Sequence, residues 1–311
     1  MNSHETEKDK GVPYEGLRGK SHEVRIDPMF NDAFVHVFGR SDSRNVTKAF
    51  INSVFRNVGI DEIDEIDSIH AEYTDMGEVV GCKATRFDVL IFADNQIVDL
   101  EAERHDTQLG DRAMLYGARL LSTHTELGLS YADMPQVVIV LLIDVASQFD
   151  AGDDLVFASN TSWFVNGQPV YATEKLKIVA VNLRKARKRY NRFEDIPDDE
   201  MAAWLYILAN GYKSNEEIER TVEKFPSIEE FAKRYGKAIS DPSLMAAYEQ
   251  EARNWRESES FERWLADKES NDIEQGLEQG LEQATALLAE MGLGEEAIEE
   301  FAKNYRRKTE R

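Results

Sequence analysis

Residues Gln136 to Asp144, QVVIVLLID, form an unbroken apolar run that ends on an acid. A strand with one wet face alternates apolar and polar residues; a continuous run is what a strand buried on both faces requires. The neighbouring segments supply material for layers around it. DPMFNDAFVHVFG places Phe30, Phe34, Val37 and Phe38 at helical spacing, and RNVTKAFINSVFRNVGI continues in the same period, so two amphipathic helices are expected between Asp27 and Val58. From Ile69 the pattern becomes β-rich in IHAEYTDM, ATRFDVLIFA and QIVDLEAE. TQLGDRAMLYGARLLSTHTEL returns to helical spacing, with Leu109, Ala113, Tyr116 and Leu120 on one face. After the buried run, TSWFVNGQPVY reads as a strand pair turning at Asn166-Gly167, and KLKIVAVNL as a further strand. Helix, three strands, helix, buried strand and further strands indicate an α/β domain with a mixed sheet. From about Asp198 the chain reads as wholly helical, beginning with DEMAAWLYILANGY.

The expected divisions are a disordered leader over 1–25, the α/β domain over 26–197, a helical region over 198–270 and a repeat tail over 271–311. In the tail, IEQGLEQGLEQA puts Gly276, Gly280 and Ala284 on one helical ridge with Leu277 and Leu281 beside it. A glycine inside a helix costs roughly 1 kcal/mol relative to alanine, so two at this spacing imply either close approach of another helix, including one from a second copy of the chain, or a poorly formed linker. The mass in solution of a chain lacking Gly276 to Gly280 separates the two.

The chain has 311 residues and a formal net charge of -22, which opposes general adhesion to nucleic acid at long range. One basic stretch runs against this balance: NLRKARKRYNR gathers Arg184, Lys185, Arg187, Lys188, Arg189 and Arg192, either as a solvated helical face or as a phosphate-binding stripe. The single cysteine, Cys82, excludes an intrachain disulfide and a cysteine-based zinc site, and a reducing, cytoplasmic location is the default. No apolar run has membrane-spanning length, and MNSHETEKDKGVPYEGLRGK lacks the apolar core of a signal peptide. The histidines at 36, 70, 105 and 124 are scattered without ligand spacing, and no glycine-rich loop points to ATP.

Chemistry concentrates in FDVLIFADNQIVDLEAER, Phe87 to Arg104. A turn centred on Asp94-Asn95 sets Ala93 opposite Gln96 and, counting outward, Asp88 opposite Glu101. Opposed residues share a face with Cβ atoms about 5 Å apart, and alternation adds Asp99 and Glu103. Phe87, Val89, Ile91, Val98, Leu100 and Ala102 are then expected on the other, buried face. Like charges across a ladder destabilise it unless something offsets them. Three resolutions stand open: plain solvent exposure, neutralisation by Arg86, Arg104 or Arg112, or a hard divalent cation, since Mg²⁺ is held by one or two carboxylates with waters and phosphate completing its shell.

Asp88, a hairpin and Glu101-Ala102-Glu103 resemble the D…(D/E)xK core of the PD-(D/E)XK nuclease fold, and most closely the recombination-promoting nucleases, or PD-(D/E)XK nuclease family transposases. FVHVFGRSDSRNVTKAFINSVF is similar to that group's first helix, FG and second helix; RFDVLIFADNQIVDLEAER to its D-hairpin-ExQ block; DRAMLYGARLL to its R-x-x-x-Y helix, placing Arg112 and Tyr116; and EQGLEQGLEQATALLAEMGL to its Gly/Glu tail. The resemblance implies a restriction-endonuclease-like mixed sheet flanked by helices and followed by an all-helical region. It implies a DNA endonuclease dependent on Mg²⁺ or Mn²⁺, with Asp88 and Glu101 as metal ligands and Asp88, Glu101 and Glu103 as the catalytic set. Arg112 would hold a phosphate or brace Glu101, Tyr116 and Asp32 would be accessory, and Arg184, Lys185, Arg187, Lys188 and Arg189 would contact DNA. Two positions depart from the pattern. The third motif position, commonly lysine or glutamine, is Glu103, which can serve as a further ligand or a base but cannot donate a hydrogen bond when ionised. Val35 stands where a lysine often follows the phenylalanine of the first helix, and the acid ahead of it falls at Asn31 or Asp32. The alternatives are a catalytically degenerate relative that binds DNA or protein and self-assembles through its tail, and a hydrolase of another phosphate ester.

Overall fold

The computed structural model describes residues 27–254, apart from 76–84, 95, 105–107, 126–127, 146, 151, 160, 167 and 212–214, together with Glu257, Ala284 and Thr285. Cys82, His105, the leader and nearly all of the repeat tail lie outside the described residues. The chain divides into two units, Met1–Tyr248 and Glu249–Arg311, and all that follows concerns the first. Among the described residues no helix is long and apolar enough to cross a membrane.

Two helices open the unit, α1 (Asn31–Phe38) and α2 (Arg44–Val58). The strands β1 (Ser68–Asp75), β2 (Thr85–Ala93) and β3 (Gln96–Glu103) follow, then α3 (Leu109–Thr123) and β4 (Gln136–Ile143). After these come β5 (Val156–Ala158), β6 (Thr161–Val165), β7 (Gln168–Thr173), β8 (Leu176–Asn182), α4 (Leu183–Arg189), α5 (Glu200–Asn210), α6 (Asn215–Lys224) and α7 (Glu229–Ala238). Six strands form one sheet in the order β1-β2-β3-β4-β8-β5. β1, β2 and β3 run antiparallel, β3, β4 and β8 parallel, and β5 antiparallel against β8. The strand pair turning at Asn166-Gly167 is a separate two-stranded sheet. β5 was not legible in the sequence, because three residues are too few to carry a period.

β4 occupies the centre of this sheet, and Val137 to Ile143 are all buried, as the unbroken apolar run demands. Its alternate side chains enter two cores. Val138, Val140 and Leu142 join Phe34, Val37 and Phe38 of α1, Phe50, Val54 and Phe55 of α2, and residues of α5 and α7. Val137, Ile139, Leu141 and Ile143 join Leu109, Ala113 and Leu120 of α3. The first core is tied by aromatic contacts across its helices: Phe38–Phe50 at 5.4 Å, Phe50–Trp204 at 5.3 Å and Trp204–Phe231 at 5.6 Å between ring centroids. Each such ring contributes about 1.5–3 kcal/mol through burial. The helical segment after Asp198 therefore packs into the same core as α1 and α2.

Phe38-Gly39 marks a close approach. A Cβ on Gly39 would lie 2.9 Å from the Ala71 Cβ and 3.0 Å from the Val35 carbonyl oxygen, so the end of α1 sits directly on β1. On the opposite face the β3–α3–β4 crossover lays α3 over the sheet. Gly117 lets α3 meet β8, since a Cβ there would come within 2.3 Å of Leu176 Cδ1.

Candidate active site

The hairpin register agrees with the turn centred on Asp94-Asn95: Ala93 pairs with Gln96, Ile91 with Val98 and Val89 with Leu100. Beyond Val89 the ladder opens. Glu101 Oε1 accepts from the Asp88 backbone N–H at 2.9 Å, and Asp88 Oδ2 accepts from the Ala102 N–H at 3.0 Å. Each acid thus reaches across and satisfies the backbone of the other strand. On the far side of β2, Glu72 departs from strand geometry at φ 50, and no β1 pairing is made at Asp88. Across this break Phe87 turns to the α3 side and packs edge-on against Tyr116 at 5.3 Å, instead of sharing the face of Val89 and Ile91 as alternation had indicated.

The acid-bearing face of β3 is not open. α3 covers it, so Asp99 is 0% exposed, Glu101 2% and Glu103 6%. Solvent exposure is thereby excluded as the way these acids are tolerated. Of the three candidate counter-ions, Arg86 pairs with Glu72, and Arg104 lies 3.6 Å from Asp27 and stacks over the Phe30 ring. Arg112 pairs within the acid group. Its Nη1 is 3.1 Å from Glu103 Oε2 and its Nη2 is 3.0 Å from Glu103 Oε1, a two-point contact to Glu103, where the resemblance implies a phosphate or Glu101 as its partner.

Burial leaves this group short of positive charge. It pushes Asp88 above the ordinary carboxylate range, against the Ala102 N–H and Arg86. Asp99 and Glu101 are driven well above it, burial again being the largest cause, with the repulsion of neighbouring carboxylates added. Both Asp99 oxygens are buried without a hydrogen-bond donor. A carboxylate offers only acceptors, so the contact between Asp99 and Glu101 becomes a hydrogen bond only when one of them carries a proton. Glu103 is raised by burial and drawn part of the way back by Arg112. Tyr116 is raised as well, chiefly by burial.

Asp88, Glu101, Glu103, Arg112 and Tyr116 line a cavity of about 330 Å³ together with Asn31, Arg86 and Ala102. Asp88, Glu101, Glu103, Arg112 and Tyr116 are brought together as the sequence indicated; Asn31, not Asp32, reaches the cavity from α1. Asn31 Nδ2 donates to Glu72 at 3.1 Å, and Glu72 also receives Arg86, which ties the rim together. Asp99 was visible on the acid face in sequence but is deeper than the cavity wall. The basic stretch lies elsewhere, on α4, and much of it has intramolecular partners. Arg187 holds Asp144 through two bonds of 2.7 and 2.8 Å, Arg184 pairs with Asp150 at 2.7 Å, and Lys185 donates to the Gly152 carbonyl at 2.6 Å. Arg189 donates to the Asp153 carbonyl, while Lys188 and Arg189 are exposed.

Among the described residues no group of three or more His, Cys, Asp or Glu side chains is arranged to hold a metal ion. The donors present fit a harder, less demanding ion. Two carboxylates that line one cavity are compatible with a hard divalent cation, which is held by one or two acids with water and phosphate completing its shell.

A family model described as PD-(D/E)XK nuclease family transposase matches residues 28–262. No curated protein and no solved structure matches the chain.

Proposed function

The chain belongs to the PD-(D/E)XK nuclease family transposases, and from that premise we propose that it is a metal-dependent DNA endonuclease acting in transposition or recombination. The observation that carries the reading is the cross-strand anchoring of two cavity acids, Glu101 by the Asp88 N–H and Asp88 by the Ala102 N–H, where the hairpin ladder opens. Asp88 and Glu101 would hold the divalent cation, each keeping one oxygen anchored to a backbone N–H so that neither needs to reorganise on binding. A bound Mg²⁺ or Mn²⁺ acidifies a water and offsets the charge that develops on the phosphate. Arg112 and Tyr116 bound the same cavity and orient the phosphate beside the two acids. Exposed Lys188 and Arg189 on α4 would retain the DNA backbone at a distance from the chemistry, whereas Arg187 is committed to Asp144. The Gly/Glu tail would bring a second copy of the chain alongside, and the protein would work in the cytoplasm.

Nicking of supercoiled plasmid with Mg²⁺ or Mn²⁺ tests the assignment. Asp88→Ala and Glu101→Gln should each lower the rate by at least about 10²-fold, the scale of losing one preorganised electrostatic contact. Metal-dependent cutting that survives both changes removes these acids from the mechanism. Glu103 at the third motif position favours a second reading, a member that binds DNA or protein without cutting. Retained duplex binding with no metal uptake by calorimetry selects it.

A further inference from the structure

We propose that Glu103 is a positioning residue that holds Arg112 at the cavity, and that the Arg112 guanidinium is the cation that meets the scissile phosphate. The inference rests on the nuclease reading above and assigns the third motif position a role within it.

Both Glu103 oxygens are engaged by the same guanidinium, at 3.0 and 3.1 Å. The carboxylate side chain is 8% exposed against 30% for Arg112, so the acid is the buried member of the pair and the cation the one nearer solvent. A carboxylate gripped in this way has both oxygens oriented by the guanidinium, which favours a role in placing the arginine. It fixes the plane of the guanidinium, because a fork of two parallel N–H bonds sets orientation as well as distance. Tyr116 adds a second constraint: the guanidinium carbon lies 5.7 Å from its ring centroid, so the ring bounds the side of the cation. Arg112 lines the cavity and is the more exposed member of the pair, so its guanidinium is placed to bridge a buried carboxylate and an incoming phosphate.

Charge balance points the same way. With a divalent cation and Arg112 present, Asp88, Glu101 and Glu103 are neutralised. Without Arg112 the cavity keeps a net negative charge and repels a phosphodiester. Arg86, the other cation at the cavity, has its side chain 61% exposed and is engaged by Glu72 at the rim. A lysine at position 103 would supply an ammonium directly; here the acid supplies it at second hand, by holding an arginine from α3.

Four variants decide the matter: Arg112→Ala, Arg112→Lys, Glu103→Gln, and Glu103→Lys combined with Arg112→Ala. Each is measured for plasmid nicking with Mg²⁺, for Mn²⁺ uptake by calorimetry, and for anisotropy of a fluorescein-labelled duplex in Ca²⁺. Arg112→Ala is expected to lower kcat by about 10²–10³-fold and to weaken duplex binding while leaving Mn²⁺ affinity in place. Arg112→Lys recovers part of this. Glu103→Gln keeps Mn²⁺ uptake and loses less rate than Arg112→Ala. The double variant regains at least about a tenfold advantage over Arg112→Ala, since its lysine replaces the missing cation. Circular dichroism identifies any variant that does not fold, and Arg112→Lys carries the comparison if Arg112→Ala fails. Loss of Mn²⁺ uptake in Glu103→Gln as complete as in Glu101→Gln makes Glu103 a ligand and overturns the proposal. So does an Arg112→Ala protein that cuts and binds like the wild type. A wild-type chain that takes up Mn²⁺ yet neither binds nor cuts DNA instead overturns the nuclease reading, and the proposal falls with it. A chain that binds duplex without cutting leaves the Arg112→Ala anisotropy to decide.

Discussion

Glutamine at position 101 should make the metal-free protein more stable while removing its response to divalent cations. Glu101 is 2% exposed, beside Asp99, whose two buried oxygens have no donor. Glu101→Gln keeps the Oε1 acceptor for the Asp88 N–H and adds an amide N–H₂ within reach of Asp99. Above the elevated pKa values Asp99 is ionised, and a hydrogen bond to a charged group contributes about 1.5–3 kcal/mol, so a net gain of about 2 kcal/mol is expected there. For a domain of 150–250 residues that raises Tm by roughly 4–8 °C. The pH dependence carries a definite sign. The folded pKa values of Asp88, Asp99, Glu101 and Glu103 lie above the ordinary 3.8 and 4.5, burial being the main cause in each. Above the ordinary range the unfolded chain has lost these protons while the folded chain retains them. Stability therefore falls as pH rises through the elevated values, and is undiminished by these groups below the ordinary ones. Thermal melts in EDTA between about pH 5 and about pH 8 should show a declining Tm for the wild type and a shallower decline for Glu101→Gln. Mg²⁺ at 100 times its Kd should restore about 2.7 kcal/mol to the wild type and nothing to the variant. A variant that melts below the wild type in EDTA at the higher pH, with an unchanged slope, refutes the reasoning.

Gly39→Ala should destabilise by about 1–3 kcal/mol, because its Cβ would strike the Ala71 Cβ and the Val35 carbonyl, neither of which can swing away; urea denaturation reads the loss. Arg187→Ala should cost about 1–3 kcal/mol by leaving the Asp144 side chain, 7% exposed, without its two-point partner, and melting should register it whether or not DNA affinity changes.

The hairpin register was legible because a two-residue turn fixes which residues face one another, and Asp88 and Glu101 follow from counting outward from Ala93 and Gln96. The buried run of β4 was legible for a related reason: continuous apolarity leaves no wet face. What the strand pattern could not convey was the cover over the acids. Alternation distinguishes polar from apolar faces, and an acidic face reads as a wet one until α3 is laid across it by the β3–α3–β4 crossover. The turn of Phe87 toward Tyr116 depends on the break opposite Glu72, a backbone event with no residue signature, since glutamate is an unusual occupant of positive φ. The motif places Arg112 near the acids with a phosphate or Glu101 as its partner, and the structure pairs it with Glu103, two residues along β3. Glu101 and Glu103 share a face, and only the position of α3 chooses between them.

Apart from Asn31, every described residue lining the cavity lies between Arg86 and Tyr116. The hairpin supplies the acids, and the crossover helix that follows returns the arginine and tyrosine to them. Such a site is a cassette: its parts are inherited together on one short length of chain and assembled by local closure. Among the described residues, none of the β6–β7 hairpin, α4 or the later helices lines the cavity. On the nuclease reading, changes in those elements would leave the residues of the proposed centre in place.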